Sequence, residues 1–160
     1  KSRVGIEFAK LLGWSFFDTD DLIEERAGKY ITDIFNEDGE EVFRKMESDI
    51  INEMAAKDNA VVSLGGGAVV SDNNWQVLTS SGLTICLYAK PELLYERISK
   101  KTHRPLVNEF TKDELMQRIN NLLAERAERY SMAEYSYESK KEVTAKQLAN
   151  TIFEQLRDDI

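Results

Sequence analysis

Cysteine, histidine and proline are nearly absent: the 160 residues hold one Cys, one His and two Pro. With Cys86 alone, a disulfide and a cysteine metal cluster are excluded, and a reducing cytoplasm fits. His103, the only histidine, has no partner pattern for a catalytic dyad or a metal site. Positive charge is also short, with 21 Lys and Arg against 29 Asp and Glu, a net charge of −8 and a pI near 4.8. A nucleic-acid partner needs a basic face, so none is expected. No apolar run approaches the length that spans a bilayer, so no membrane partner is expected either. What is present, 42% apolar and 31% charged residues, is ordinary for one globular domain of this length.

The stretch that organises the chain is Val61-Val62-Ser63-Leu64-Gly65-Gly66-Gly67. Residues 60–64 form a short, β-branched apolar run, the pattern of a strand buried on both faces of a parallel sheet. The three glycines that follow let the backbone approach a ligand closely at the carboxyl end of that strand. A flexible turn is the alternative reading.

Around it, the spacing predicts helices over 2–12 and 22–27, closed by Gly13 and Gly28, with a strand at 14–18 between them. Helices are expected at 32–36 and 40–57, broken at Asp38-Gly39, with Val42, Phe43, Met46, Ile50 and Met54 facing inward. A helix near 73–79, a buried strand at 83–88 and a helix from Pro91 to 98 follow. Residues 100–110 read as a basic loop. Thr111 and Glu114 form a capping box for a helix reaching about Tyr130. Residues 135–138 are a candidate edge strand. Thr144 and Gln147 cap a last helix with Ala145, Leu148, Ile152 and Leu156 inward. Strands alternating with helices predict an α/β protein with a parallel sheet.

Four features could carry chemistry. Lys1-Ser2 open a helix as the last two residues of G-x-x-x-x-G-K-[ST] would, where the lysine meets phosphates and the hydroxyl meets Mg²⁺. Two such residues also serve as a plain helix start. Asp18 and Asp20 sit where a strand turns into a helix, so both carboxylates can approach one cleft, one near a metal and one near a reacting hydroxyl. Capping of the helix is the competing role. Arg44 and Glu47, at i and i+3, form a surface pair or offer the Arg44 fork to a carboxylate near Gly66. Lys100-Lys101-Thr102-His103-Arg104-Pro105 concentrates positive charge in an acidic chain, as a solvated turn or as a lid over phosphates.

The ordered series Lys1-Ser2, Phe17-Asp18-Thr19-Asp20, Phe43-Arg44-x-x-Glu47, Gly65-Gly66-Gly67, Arg104-Pro105-Leu106 and Arg126-x-x-x-Tyr130 resembles shikimate kinase over nearly the whole chain. The resemblance implies a three-layer P-loop kinase fold with a parallel sheet. It implies a single domain, with a helical substrate-binding subdomain at 19–57 and a lid at 99–112. It implies a cytoplasmic, monomeric enzyme that moves the γ-phosphate of ATP to the 3-hydroxyl of shikimate, with Mg²⁺.

Carried over residue by residue, it implies that Lys1, Ser2 and Arg104 bind ATP and that Ser2 and Asp18 serve the metal. Asp20 would bind shikimate and act as the base, with Lys1 and Arg104 also catalytic. Arg44, Arg126 and the backbone of Gly65, Gly66 and Gly67 would hold the substrate and its carboxylate. An apolar strand and the phosphate-loop glycines are expected directly before Lys1. They are missing from this chain, which as given is not expected to be a competent kinase. A second basic lid residue (Lys100 or Lys101) has no clear match, and Lys140-Lys141 carry no family signature for adenine. A P-loop kinase for another small hydroxy acid such as gluconate, and a non-catalytic binding module of the same fold, remain open at this point.

Overall fold

The computed structural model describes residues 1–100 and 110–160. Strands and helices alternate, and the described strands pair in parallel, as that alternation predicts. Two compact units form, Lys1–Thr84 with Thr144–Ile160, and Ile85–Val143.

In the first unit, helix α1 (Ser2–Leu12) ends at Gly13, whose φ of 68° is left-handed and open to glycine at little cost. The chain then enters strand β1 (Ser15–Asp18), followed by α2 (Thr19–Ala27), which a second left-handed glycine, Gly28, ends. Strand β1 lies parallel to β2 (Ala60–Ser63) in the register Ser15↔Ala60 to Asp18↔Ser63. A short helix α3 (Ile31–Asp33) runs into a wider π-type turn, Ile34–Asp38, closed by the Gly39 amide donating to the Ile34 carbonyl at 3.0 Å. Helix α4 (Glu40–Ala55) follows. Ile23, Ile34, Phe43, Ile50 and Met54 make one buried cluster, with Phe17, Met46 and Val62 packed against it. That cluster fixes α2 and α4 against β1 and β2, which is what locates the side chains described below. After a 3₁₀ turn at Ala68–Val70, α5 (Asp72–Ser81) packs on α4. The last helix of the chain packs against α1 and buries Leu148, Ala149, Ile152 and Leu156.

In the second unit, β3 (Ile85–Tyr88) pairs with β4 (Tyr135–Glu138) in the register Ile85↔Tyr135 to Tyr88↔Glu138. Helix α6 (Pro91–Ser99) packs on α7 (Lys112–Ser131). The Thr111 capping box forms as its sequence predicts, with Glu114 N–H on the Thr111 hydroxyl and the Glu114 carboxylate on the Thr111 N–H. The same device at Thr144 and Gln147 opens α8 (Ala145–Leu156). Such a cap is worth about 1 kcal/mol.

Three expectations are corrected. Val42, expected inside, is 43% exposed, while Glu47 is buried at 1% and shares the inward stripe of α4 with Phe43, Ile50, Ile51 and Met54. Strands β2 and β3 are half-buried along most of their length rather than buried on both faces, because each pairs along one edge only among the described residues. The helix expected at 32–36 is α-helical only over Ile31–Asp33 and widens into the π-type turn Ile34–Asp38, putting Ile34 fully inside and leaving Phe35 at 36% exposure.

Helices α2 and α4 are also joined by a two-pronged contact, Arg26 Nη1 to Glu53 Oε1 at 2.8 Å and Nη2 to Oε2 at 2.6 Å. The Arg26 hydrogen bonds hold the Glu53 carboxyl below its ordinary value of 4.5. A carboxylate lowered on folding adds stability above its unfolded value and loses it as pH falls through the folded value. Glu53→Gln is therefore expected to lower Tm slightly at pH 7, with the gap to the parent closing as the pH of the melt drops below 4.5.

Candidate active site

The site grows out of the register of β1 and β2, which sets Asp18 opposite Ser63 at the carboxyl ends of both strands. Asp18, 9% exposed, is used twice. Its Oδ1 accepts the Asp20 N–H at 3.1 Å and so caps α2, while Oδ2 accepts the Ser2 hydroxyl at 2.6 Å. Capping and a functional contact are thus both present, through different oxygens. The Ser63 hydroxyl lies 3.4 Å from Ser2 Oγ, completing a small all-oxygen group. Ser2 does not cap its own helix, and Lys1 reaches back so that its ammonium donates to the Leu64 carbonyl, just before the glycine triplet.

Thr19 ties the glycine turn to this group. It is fully buried, donates to the Ser63 carbonyl at 3.3 Å and accepts the Gly65 N–H at 3.1 Å. The threonine between the two aspartates therefore holds the exit of β2 against the start of α2, a role the sequence reading did not give it.

Beyond Gly65 the turn closes through Ala68 N–H to the Gly65 carbonyl at 3.1 Å. Space beside two of the glycines is short. A Cβ on Gly65 would lie 2.9 Å from Asp20 Oδ1 and 3.1 Å from Glu47 Oε1. A Cβ on Gly67 would lie 2.8 Å from both terminal nitrogens of Arg44. The turn is thus lined in order by Asp20 and Glu47, then by Arg44, with Gly66 exposed.

Arg44 is held by Glu47 at 2.8 Å and by Glu40 at 3.3 Å. Glu47 has 2% of its side chain exposed against 66% for Glu40, so the expected surface pair is half interior. Burial lowers the proton affinity of the Arg44 guanidinium, but the Glu47 and Glu40 hydrogen bonds and charges outweigh it and raise the pKa above its ordinary value. Its Cζ lies 5.2 Å from the centroid of Phe43, and Phe43 in turn packs on Phe35 with centroids 4.7 Å apart. Asp21, beside Asp18, is raised by burial first and then by the Asp18 and Glu24 charges.

The structure therefore brings Lys1, Ser2, Asp18, Asp20, Arg44, Gly65, Gly66 and Gly67 into one unit around the ends of β1 and β2. Arg126 lies half-buried on α7 in the other unit. Arg104, Lys101 and His103 lie outside the described residues. Thr19 and Ser63 are polar side chains to which sequence reasoning assigned no role in the site, while Glu47, named there beside Arg44 at i+3, turns out to be buried.

A lysine and serine opening a helix, an aspartate bound to that serine and a glycine turn faced by an arginine fit a P-loop-type kinase for a small molecule, the class to which its relatives assign the chain. The family model described as "SKI: Shikimate kinase" matches residues 1–157. Shikimate kinase of Legionella pneumophila (strain Corby) is 37% identical over 161 residues, covering 100% of this chain and 90% of the relative. That of Chlorobaculum tepidum is 40% identical over 139 residues, 84% of this chain and 73% of the relative. The solved structure of shikimate kinase from Acinetobacter baumannii in complex with shikimate superposes with a TM-score of 0.88 at 32% identity, over 98% of this chain and 86% of that one. The chain belongs to the shikimate kinase family, whose members are ATP-dependent kinases.

The two glycines are expected to respond differently to a methyl group. At Gly67 it meets the end of a half-exposed arginine, which can swing away. At Gly65 it meets Asp20 Oδ1 at 2.9 Å and, at 3.1 Å, Glu47, whose side chain is buried. Gly65→Ala should cost about 1–3 kcal/mol and Gly67→Ala less, read as two Tm values from thermal melts. Equal losses would mean that Arg44 is as fixed as Glu47.

Proposed function

We propose that this protein phosphorylates the 3-hydroxyl of shikimate at the expense of ATP, and that the residues around the ends of β1 and β2 do the work. The observation that carries the reading is the pairing of a carboxylate (Asp20) and a guanidinium (Arg44) along one glycine turn, beside the Lys1, Ser2 and Asp18 group. Such a pair suits a substrate that offers both hydroxyls and a carboxylate. The relative from Acinetobacter baumannii holds shikimate.

In the proposed reaction the 3-hydroxyl oxygen forms a bond to the γ-phosphorus, and the bond from that phosphorus to the β–γ bridging oxygen breaks, releasing ADP. Asp20 takes the hydroxyl proton. Arg44 holds the substrate carboxylate along the glycine turn, and the family resemblance gives Arg126 a role in binding the same substrate. Lys1 exchanges the Leu64 carbonyl for phosphate oxygens, and Arg104 adds a second cation to the same phosphates. Phosphoryl transfer asks little covalent help of the protein, so orientation and charge supply most of the rate.

The Ser2 hydroxyl and Asp18 carboxylate, 2.6 Å apart, fit a Mg²⁺ that keeps waters and phosphate oxygens in its shell. When bound, such an ion neutralises charge on the transferring phosphate. A monomer in the cytoplasm is part of the same proposal. Among the described residues no helix is long and apolar enough to cross a membrane.

ADP release, measured with the natural gene product, should require Mg²⁺ and ATP and be much faster with shikimate than with gluconate. Equal or better turnover of gluconate would overturn the substrate.

Arg44 and Asp20 are expected to fail differently. A carboxylate is as negative before transfer as during it, so Arg44→Met should weaken shikimate binding by about 10-fold or more with a smaller loss of kcat. Asp20→Asn keeps the shape but removes the proton acceptor, and should lower kcat by about 10²-fold. Steady-state kinetics at saturating ATP separate the two. Near-normal kcat in Asp20→Asn would reduce Asp20 to a positioning group.

A further inference from the structure

The glycine turn is held from behind by a residue outside the motifs. Asn74, on the first turn of α5, is 1% exposed, and its Nδ2 donates to the Ala68 carbonyl at 3.0 Å. Ala68 itself is fully buried and its N–H already closes the turn onto Gly65. The Asn74 N–H points to the Ser71 hydroxyl at 3.4 Å, so one residue joins the helix cap to the turn. Its Oδ1 is buried with no hydrogen-bond partner among the described residues. Burying an amide with one end unpaired costs free energy, so packing alone would favour an apolar residue here.

The elements meeting at Asn74 explain what that cost secures. Helix α5 and the 3₁₀ turn Ala68–Val70 both pack on α4, which carries Arg44. A Cβ on Gly67 would stand 2.8 Å from both terminal nitrogens of Arg44, so the guanidinium as it stands rests close over the turn. A shift of the turn by a few tenths of an ångström therefore moves the surface against which the guanidinium rests.

We infer that Asn74 is a positioning residue for substrate binding: its amide locks the turn 65–68 so that Gly67 seats the Arg44 guanidinium for the substrate carboxylate. This rests on the functional reading above. It assigns to Asn74 a role in affinity for the acid substrate, exerted through Arg44, and none in the phosphoryl step.

The test is calorimetric titration of shikimate into the parent, Asn74→Ala, Arg44→Met and the double variant, each with its Tm. Loss of one buried hydrogen bond should weaken shikimate binding about 5- to 20-fold in Asn74→Ala. In the Arg44→Met background the same substitution should change affinity by less than about twofold, because the group it positions is gone. A merely structural Asn74 would lower Tm equally in both backgrounds and leave the dissociation constant unchanged. That result overturns the inference, as does full additivity of the two substitutions. If Asn74→Ala does not fold, Ser71→Ala loosens the same junction from the exposed side, with the same direction expected and an unchanged affinity again overturning it. A parent protein that binds no shikimate removes the functional reading itself, a result distinct from a parent that binds while Asn74→Ala binds equally well.

Discussion

Everything described at the site depends on one register. Asp18 stands opposite Ser63 because β1 and β2 pair in parallel over four residues, and a slip of one would turn each of these side chains to the other face. With the register as it is, the Ser2 hydroxyl finds Asp18, Thr19 reaches both the end of β2 and the first glycine, and Asp20 is carried by α2 towards the turn. The apolar cluster of Ile23, Ile34, Phe43, Ile50 and Met54 enforces that register from one side of the pair. Packing here is the cause and the polar network its consequence.

The network is closely satisfied. Asp18 spends one oxygen on a helix cap and the other on a serine, so its side chain has little rotational choice. Thr19 both donates and accepts. Arg44 is pinned by a buried and an exposed carboxylate. Groups fixed in this way lose little further freedom when a ligand arrives, which is how a site of few residues can discriminate among small polar molecules.

Much of this was legible in the sequence, because the chemistry sits in short, ordered motifs and the elements carry strong local signals. Gly13 and Gly28 end helices where left-handed backbone is needed, and the two capping boxes open α7 and α8. The parts that escaped are those set by tertiary surroundings. Periodicity puts Glu47 within the apolar stripe of α4 and Val42 outside it, but an acid there reads as surface until the arginine at 2.8 Å is seen to accompany its burial. Thr19 and Ser63 read as ordinary strand-end residues until β1 and β2 are laid side by side. The widened turn at Ile34–Asp38 has no sequence signature beyond Gly39, and the basic loop around Arg104 falls outside the described residues.

Arg44 in its resting state is already fully engaged with anions, and this changes what recognition of an acid means. An incoming carboxylate does not find a bare cation; it enters a competition. The buried Glu47 at 2.8 Å is the hard competitor to remove, and the solvent-exposed Glu40 at 3.3 Å the easy one. On the reading proposed above, the ligand carboxylate would take the prong of the guanidinium that Glu40 holds, and Glu40 would turn to water while Glu47 stays. On that reading, fit against the glycine turn rather than bare charge would decide which acid is held.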